Sequence, residues 1–244
     1  MTSSASAPQR EALETPYGLD AMSLNLGSIV AVSARRIPDQ VALIFDSKRH
    51  SYRELDVACR RFAAELLQLG ISPGDRVALM VPNIPEFTIA YFGILYAGGI
   101  AVPLSTLHVA DEIVFQLKDC GAKALILHAQ CAEAGIEAHR RIEDGPVLYL
   151  VDVPRGSGRP AGARDFCEAL ECSTEADMVQ TSPGGTAVIL YTSGTTGNPK
   201  GVELTHFSLY ANAQYISERA FSLWPEEIRI LGPGEVGLAA LPLY

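Results

Sequence analysis

The residue types best suited to chemistry are gathered in one stretch, Thr192-Ser193-Gly194-Thr195-Thr196-Gly197-Asn198-Pro199-Lys200-Gly201. Gly194, Gly197 and Gly201 let the backbone turn its N–H groups toward a common point. The hydroxyls of Thr192, Ser193, Thr195 and Thr196 add donors, and Lys200 adds a positive charge. The stretch lies between a buried strand, Ala187-Val188-Ile189-Leu190-Tyr191, and a helix beginning near Thr205. A loop of this kind ahead of a helix has the parts of a polyphosphate cradle, so an anion is its natural guest. It is not a Walker A loop: only two residues separate Gly194 from Gly197, and Gly201 follows Lys200 where that motif needs Ser or Thr. A generic P-loop nucleoside triphosphatase is therefore disfavoured. By composition alone, a flexible Ser/Thr/Gly surface turn is the competing reading.

The elements that must position this loop are legible upstream. Ser51-Tyr52-Arg53-Glu54 has the form of a capping box, and Leu55, Ala58, Phe62, Leu66 and Leu69 then recur every three or four residues before Gly70, which predicts a helix with one apolar face. Val77-Ala78-Leu79-Met80-Val81 is an unbroken apolar run, as expected of a strand covered on both faces. A second helix is expected from about Pro85, then a strand at 100–103, a helix at about 109–119 closed by Gly121, a strand at 124–127, a helix at about 130–141 and a strand at 147–150. This alternation predicts an α/β fold of βαβ units, with a mostly parallel sheet covered by helices. Residues 152–185, rich in Gly, Pro, Ser, Glu and Asp, read as an exposed connection with a short helix near Asp165 to Leu170. No internal repeat of fixed period is present.

Phe87 to Leu104 is 18 residues without a charge, but Gly98-Gly99 and Pro103 interrupt it. A buried helix, a glycine turn and a buried strand fit this segment better than a membrane span. The 244 residues are 48% hydrophobic and 19% charged with a net charge of −9, which excludes collagen-like or wholly disordered chains. An acidic chain without a Lys/Arg block argues against a broad nucleic-acid footprint, so an anionic partner must be held at a local site. Cys59, Cys120, Cys131, Cys167 and Cys172 are odd in number and form no CxxC pair. They read as free thiols in a reducing, cytoplasmic setting rather than as a disulfide framework or metal site. Residues 1–24 have no apolar targeting core and read as a disordered or extended lead-in. Val236 to Tyr244 is apolar and strand-like up to the last residue, which reads as a cut through a domain.

Taken as an exact string, Tyr191-Thr192-Ser193-Gly194-Thr195-Thr196-Gly197-Asn198-Pro199-Lys200-Gly201 closely resembles the signature of the adenylate-forming (AMP-binding) superfamily, which includes acyl-CoA synthetases and peptide-synthetase adenylation domains. Other matches follow in the family's order. Ser51-Tyr52-Arg53-Glu54-Leu55 resembles its early S/T-Y-x-E-L element, Leu95 to Leu104 its aromatic-Ala-Gly-Gly-x-x-x-Pro element, and Leu241-Pro242-Leu243-Tyr244 the start of its P-L-aromatic-His element. Asp119 to Lys123 and Lys200 to His206 look most like bacterial medium- and long-chain fatty acyl-CoA ligases.

The resemblance implies a two-step reaction. A carboxylic acid attacks the α-phosphate of Mg-ATP to give acyl-AMP and pyrophosphate, and coenzyme A as co-substrate then displaces AMP. It implies that Thr192, Ser193, Gly194, Thr195, Thr196, Gly197, Asn198, Pro199, Lys200 and Gly201 hold the nucleotide phosphates, that Lys200 and Thr196 take catalytic roles, and that Thr192 helps order Mg²⁺. Residues 25–244 then correspond to an incomplete N-terminal AMP-binding domain, without the family's small C-terminal domain and expected to be inactive alone. A fatty acyl-AMP ligase, or a non-catalytic fragment keeping a nucleotide- or partner-binding surface, are the alternatives. No nucleic acid is implied, while a homodimer and a peripheral membrane contact stay open. His206 could touch nucleotide or acyl chain, yet it reads first as a solvated or hydrogen-bonded side chain. Tyr244 would lie beside the acyl or adenine pocket. Tyr91, Phe92 and Tyr96 read as helix-to-sheet packing, and Trp224 to Glu227 as a surface turn.

Overall fold

Ser51 begins the first long helix through its own side chain. Its Oγ accepts from the Glu54 amide at 3.2 Å, while the Glu54 carboxylate accepts from the Ser51 amide at 2.7 Å, so the expected capping box is present. The computed structural model describes residues 22–154, 159–172, 174–192 and 199–222, together with Gly237 and Ala239. In chain order, α1 (Ser28–Arg36) and a hairpin of β1 (Val41–Phe45) and β2 (Lys48–Ser51) precede α2 (Tyr52–Gln68). Then come β3 (Arg76–Met80), α3 (Pro85–Tyr96), β4 (Ile100–Pro103), α4 (Ala110–Cys120), β5 (Ala124–His128), α5 (Ala132–Arg140) and β6 (Val147–Val151). The series closes with β7 (Arg164–Asp165), α6 (Phe166–Cys172), β8 (Thr186–Thr192), β9 (Lys200–Thr205) and α7 (His206–Ser222).

Seven strands form one sheet in the order β7-β6-β5-β3-β4-β8-β9, parallel except for the antiparallel β8–β9 pair. Successive residues of a strand face opposite sides, and both sides are apolar here. Val77, Leu79, Ile126, Tyr149 and Val151 pack with Leu55, Phe62 and Leu66 of α2, Ile94 and Tyr96 of α3, and Phe166 of α6. Ala78, Met80, Val102, Leu125, Leu127 and Leu150 pack on the other side with Ile113 and Leu117 of α4 and Ile136 of α5. That two-sided burial is why the strands read as unbroken apolar runs. Gly121 ends α4 at φ +60°, a left-handed position where a side chain would be strained. The chain passes through β3 into α3 on one face, and through β4 into α4 on the other. The carboxyl ends of β3 and β4 therefore flank the point where the winding reverses, the usual place for a ligand crevice in an open α/β sheet.

Three features depart from the expectation. Residues 152–185 are not exposed throughout: β7 pairs with β6, and the α6 residue Phe166 is fully buried, its ring 4.8 Å from that of Phe62. The Leu24 amide donates to the Thr181 carbonyl and the Thr181 hydroxyl donates to the Leu24 carbonyl, so the chain is pinned from Leu24 onward. The largest departure concerns β9, a strand that takes the end of the expected loop and the residues up to the helix, which begins at His206, beside the expected Thr205. Gly237 and Ala239 apart, Val236 to Tyr244 lies outside the described residues, as do residues 1–21 and Trp224 to Glu227. Among the described residues no helix is long and apolar enough to cross a membrane.

Candidate functional site

Thr192 ends β8 and pairs across the antiparallel ladder with Lys200, the first residue of β9. Ser193-Gly194-Thr195-Thr196-Gly197-Asn198 lies outside the described residues; Thr192 before it and Lys200 after it are held side by side. Both Thr192 and Lys200 are exposed, and Pro199 is half-buried. Because β8 runs parallel to β4, these residues sit at the carboxyl end of the parallel strands, the edge that carries the crevice. The ladder brings Thr192, Lys200 and Gly201 together, while Ser193, Gly194, Thr195, Thr196, Gly197 and Asn198 lie outside the described residues.

The helix does not contribute as the sequence reading supposed. Strand β9 runs six residues, about 17 Å, back along β8 before α7 begins. There the His206 amide donates to the Gly185 carbonyl, the Phe207 amide to Pro183, and the Ser208 amide to the Thr205 hydroxyl at 3.0 Å. The first N–H groups of α7 are consumed, at the far end of the hairpin from Lys200. The α7 dipole is therefore not aimed at the loop, and Lys200 is the cation that the described residues bring to its end.

His206 belongs to this far end and is a structural residue. It is 1% exposed, and its Nδ1 accepts from the Leu26 amide at 3.0 Å. Burial lowers its pKa to about 4, so the ring stays neutral with its proton on Nε2. The hydrogen-bonded reading of His206 holds, and it is far from the loop.

Two contacts hold the hairpin itself. Thr186 Oγ1 donates to Glu203 Oε2 at 2.7 Å across the ladder. Tyr191 donates its hydroxyl to Asp119 Oδ2 at 2.6 Å and lies 3.4 Å from the Gln116 carbonyl, both on α4. Burial, aided by the Asp119 carboxylate, pushes the Tyr191 phenol above the ordinary tyrosine range, so it stays a donor. Sequence reasoning missed this pair, because 72 residues separate its members and neither pattern nor spacing links them. A Cβ on Gly201 would lie 3.0 Å from Ile189 Cγ2 and 3.5 Å from Tyr191 Cζ, so the glycine admits those side chains against the β9 backbone. Tyr91, Phe92 and Tyr96 are packing residues: the Tyr91 ring stacks on Phe87 and meets Phe92 edge-on, and Tyr96 is fully buried.

Among the described residues no group of three or more His, Cys, Asp or Glu side chains could hold a metal ion. A hollow of about 260 Å³ lined by Leu69, Ile71, Lys123 and Pro146 lies at the amino-terminal edge of the sheet, away from Thr192 and Lys200. Residues 30–244 match the family model described as AMP-binding enzyme.

The chain belongs to the AMP-binding enzyme family. This AMP-binding enzyme segment is 30% identical over 241 residues to a long-chain-fatty-acid–CoA ligase of Bacillus subtilis, a match covering 90% of this chain and 43% of the relative. It is 38% identical over 167 residues to a long-chain-fatty-acid–CoA ligase of Mycobacterium tuberculosis, covering 68% of this chain and 31% of the relative. The acetoacetyl-CoA synthetase from Streptomyces lividans shares its fold, with a TM-score of 0.74 at 22% identity over 83% of this chain and 33% of that one. The chain spans less than half the length of these proteins. Its fold is accordingly that of the adenylate-forming enzymes, α/β with a mostly parallel sheet.

Proposed function

We propose that this chain supplies the triphosphate-holding part of an AMP-forming acid–thiol ligase that activates a carboxylic acid, of the fatty class, with ATP and transfers it to coenzyme A. The observation that carries the reading is the pairing of Thr192 with Lys200 at the mouth of a Gly/Ser/Thr loop, at the carboxyl end of the sheet of an AMP-binding enzyme. The fatty class rests on the two long-chain-fatty-acid–CoA ligases that the chain resembles.

The acid's carboxylate oxygen attacks the α-phosphorus, the bond from that phosphorus to the bridging oxygen breaks, and pyrophosphate leaves with acyl-AMP remaining. The thiolate of coenzyme A then attacks the acyl carbon and AMP departs. In this reading the exposed Lys200 ammonium meets the β- and γ-phosphates, and its charge is worth most as negative charge builds on the leaving pyrophosphate. The loop hydroxyls and amides orient the same group. Mg²⁺ keeps most of its waters and is held through substrate phosphates and one or two carboxylates; of these donors the described part of the loop offers only the exposed Thr192 hydroxyl, which would be one protein ligand beside the phosphates. When bound it offsets triphosphate charge. The free thiols Cys59, Cys120, Cys131 and Cys167 suit a reducing, cytoplasmic setting.

The test is pyrophosphate exchange into ATP by the full-length protein across a panel of fatty acids, followed by thioester formation with coenzyme A. Acid-dependent exchange lost in Lys200→Ala supports the reading. Exchange without thioester marks an acyl-AMP ligase, and no acid-dependent exchange overturns the proposal.

A further inference from the structure

Strand β9 has β8 on one side and no strand on the other among the described residues, and four of its six residues are exposed. Little apolar burial therefore holds the end of the hairpin where Thr192 and Lys200 stand. The next rung of the ladder is Tyr191 with Gly201. Cross-strand partners share a face of the sheet, and the glycine leaves the Tyr191 ring lying within 3.5 Å of where a Cβ would be. Beyond the strand, the phenol reaches α4 and donates to Asp119. One side chain thus bridges from the bare backbone of β9 to a helix that is itself anchored, through Ile113 and Leu117, in the buried face of the sheet.

We infer that Tyr191 is a positioning residue: latched to Asp119, it sets the place of the Thr192–Lys200 rung, and through it the geometry in which the triphosphate is held. The inference rests on the proposed role of the loop. A phenol tied to a carboxylate at 2.6 Å has a fixed ring, whereas among the described residues the long Lys200 side chain has no comparable restraint. Freeing the ring lets the rung shift, and the cost falls on phosphate binding rather than on the acid or coenzyme A.

The test compares Tyr191→Phe, Asp119→Ala and Asp119→Asn in the full-length protein, reading MgATP affinity by calorimetry, the KM of each substrate and the melting temperature. Tyr191→Phe and Asp119→Ala are expected to weaken MgATP binding about five- to tenfold, with the KM for acid and coenzyme A and the melting temperature unchanged. Asp119→Asn keeps an oxygen acceptor and should bind MgATP nearly as the unaltered protein does. The double variant should be no worse than either single one. Tyr191→Phe binding MgATP as tightly as the unaltered protein overturns the positioning role and leaves the ligase reading intact. So does an equal loss for all three substrates accompanied by a lower melting temperature, which would mean packing alone. Failure of the unaltered protein to bind MgATP overturns both.

Discussion

Strands β5 and β6 are buried at nearly every residue, whereas β9 is exposed at Lys200, Gly201, Val202 and Glu203. The first pair lies between two helical layers, and its side chains alternate into two apolar clusters. The β8–β9 hairpin instead depends on a few directed contacts: Thr186 with Glu203, Tyr191 with Asp119, and His206 with Leu26. Burial supplies stability in proportion to area and is indifferent to small shifts, while hydrogen bonds fix position at modest net gain. The chain thus keeps its stability in one region and the proposed phosphate-holding loop in another. On that proposal the loop must stay open to its ligand, so it cannot be secured by burying it.

The largest expected effect tests the packed region. Phe62 is fully buried with its ring 5.6 Å from Tyr149 and 4.8 Å from Phe166, so Phe62→Ala should cost about 3–5 kcal/mol by denaturant titration. A cost below about 1 kcal/mol would show that α2 and α6 are not packed as described.

The clasp at the far end of the hairpin should respond to pH. Between about pH 4 and 6.5 the unfolded chain carries a proton on His206 that the folded chain does not. Stability is therefore full above pH 6.5 and is lost as pH falls through 4, by at most about 3 kcal/mol. The imidazolium cannot accept from the Leu26 amide, so that amide should exchange faster at pH 4.5 than its intrinsic rate explains. His206→Asn, which can still accept that bond, should flatten the stability profile over this range; an identical slope in both proteins would refute the clasp.

Lys200 sharpens the comparison by separating binding from folding. Removing its charge should weaken MgATP binding by about 1.5–3 kcal/mol, some ten- to a hundredfold, with the melting temperature unaltered because the side chain is exposed. Calorimetry on Lys200→Ala reads this directly, and unchanged affinity would remove the loop from the site. The smallest effect belongs to Val202, 43% exposed on β9, where Val202→Ala should change stability by under about 0.5 kcal/mol. A loss matching that of Phe62→Ala would erase the distinction between the two regions.

Local pattern alone determined most of the packed region. The Ser51–Glu54 box, the three-and-four spacing from Leu55 to Leu66, the two-sided run of β3 and the stop at Gly121 are short-range features, and each became the element it announced. The loop composition was equally plain, down to Lys200 beside three glycines. What stayed hidden was set by partners distant in the chain. Lys200-Gly201-Val202-Glu203-Leu204-Thr205 has no strong strand signal of its own and becomes β9 because β8 offers an edge to pair with. The helix starts at His206, beside the expected Thr205, but that pairing puts its start at the far end of the hairpin and sets Lys200 against Thr192. The burial of His206 under Leu26 and the tie from Tyr191 to Asp119 join residues 180 and 72 positions apart. Apolar periodicity is written within a few residues, but hydrogen-bond partners and burial exist only once the chain has folded back on itself, so only the tertiary structure could decide them.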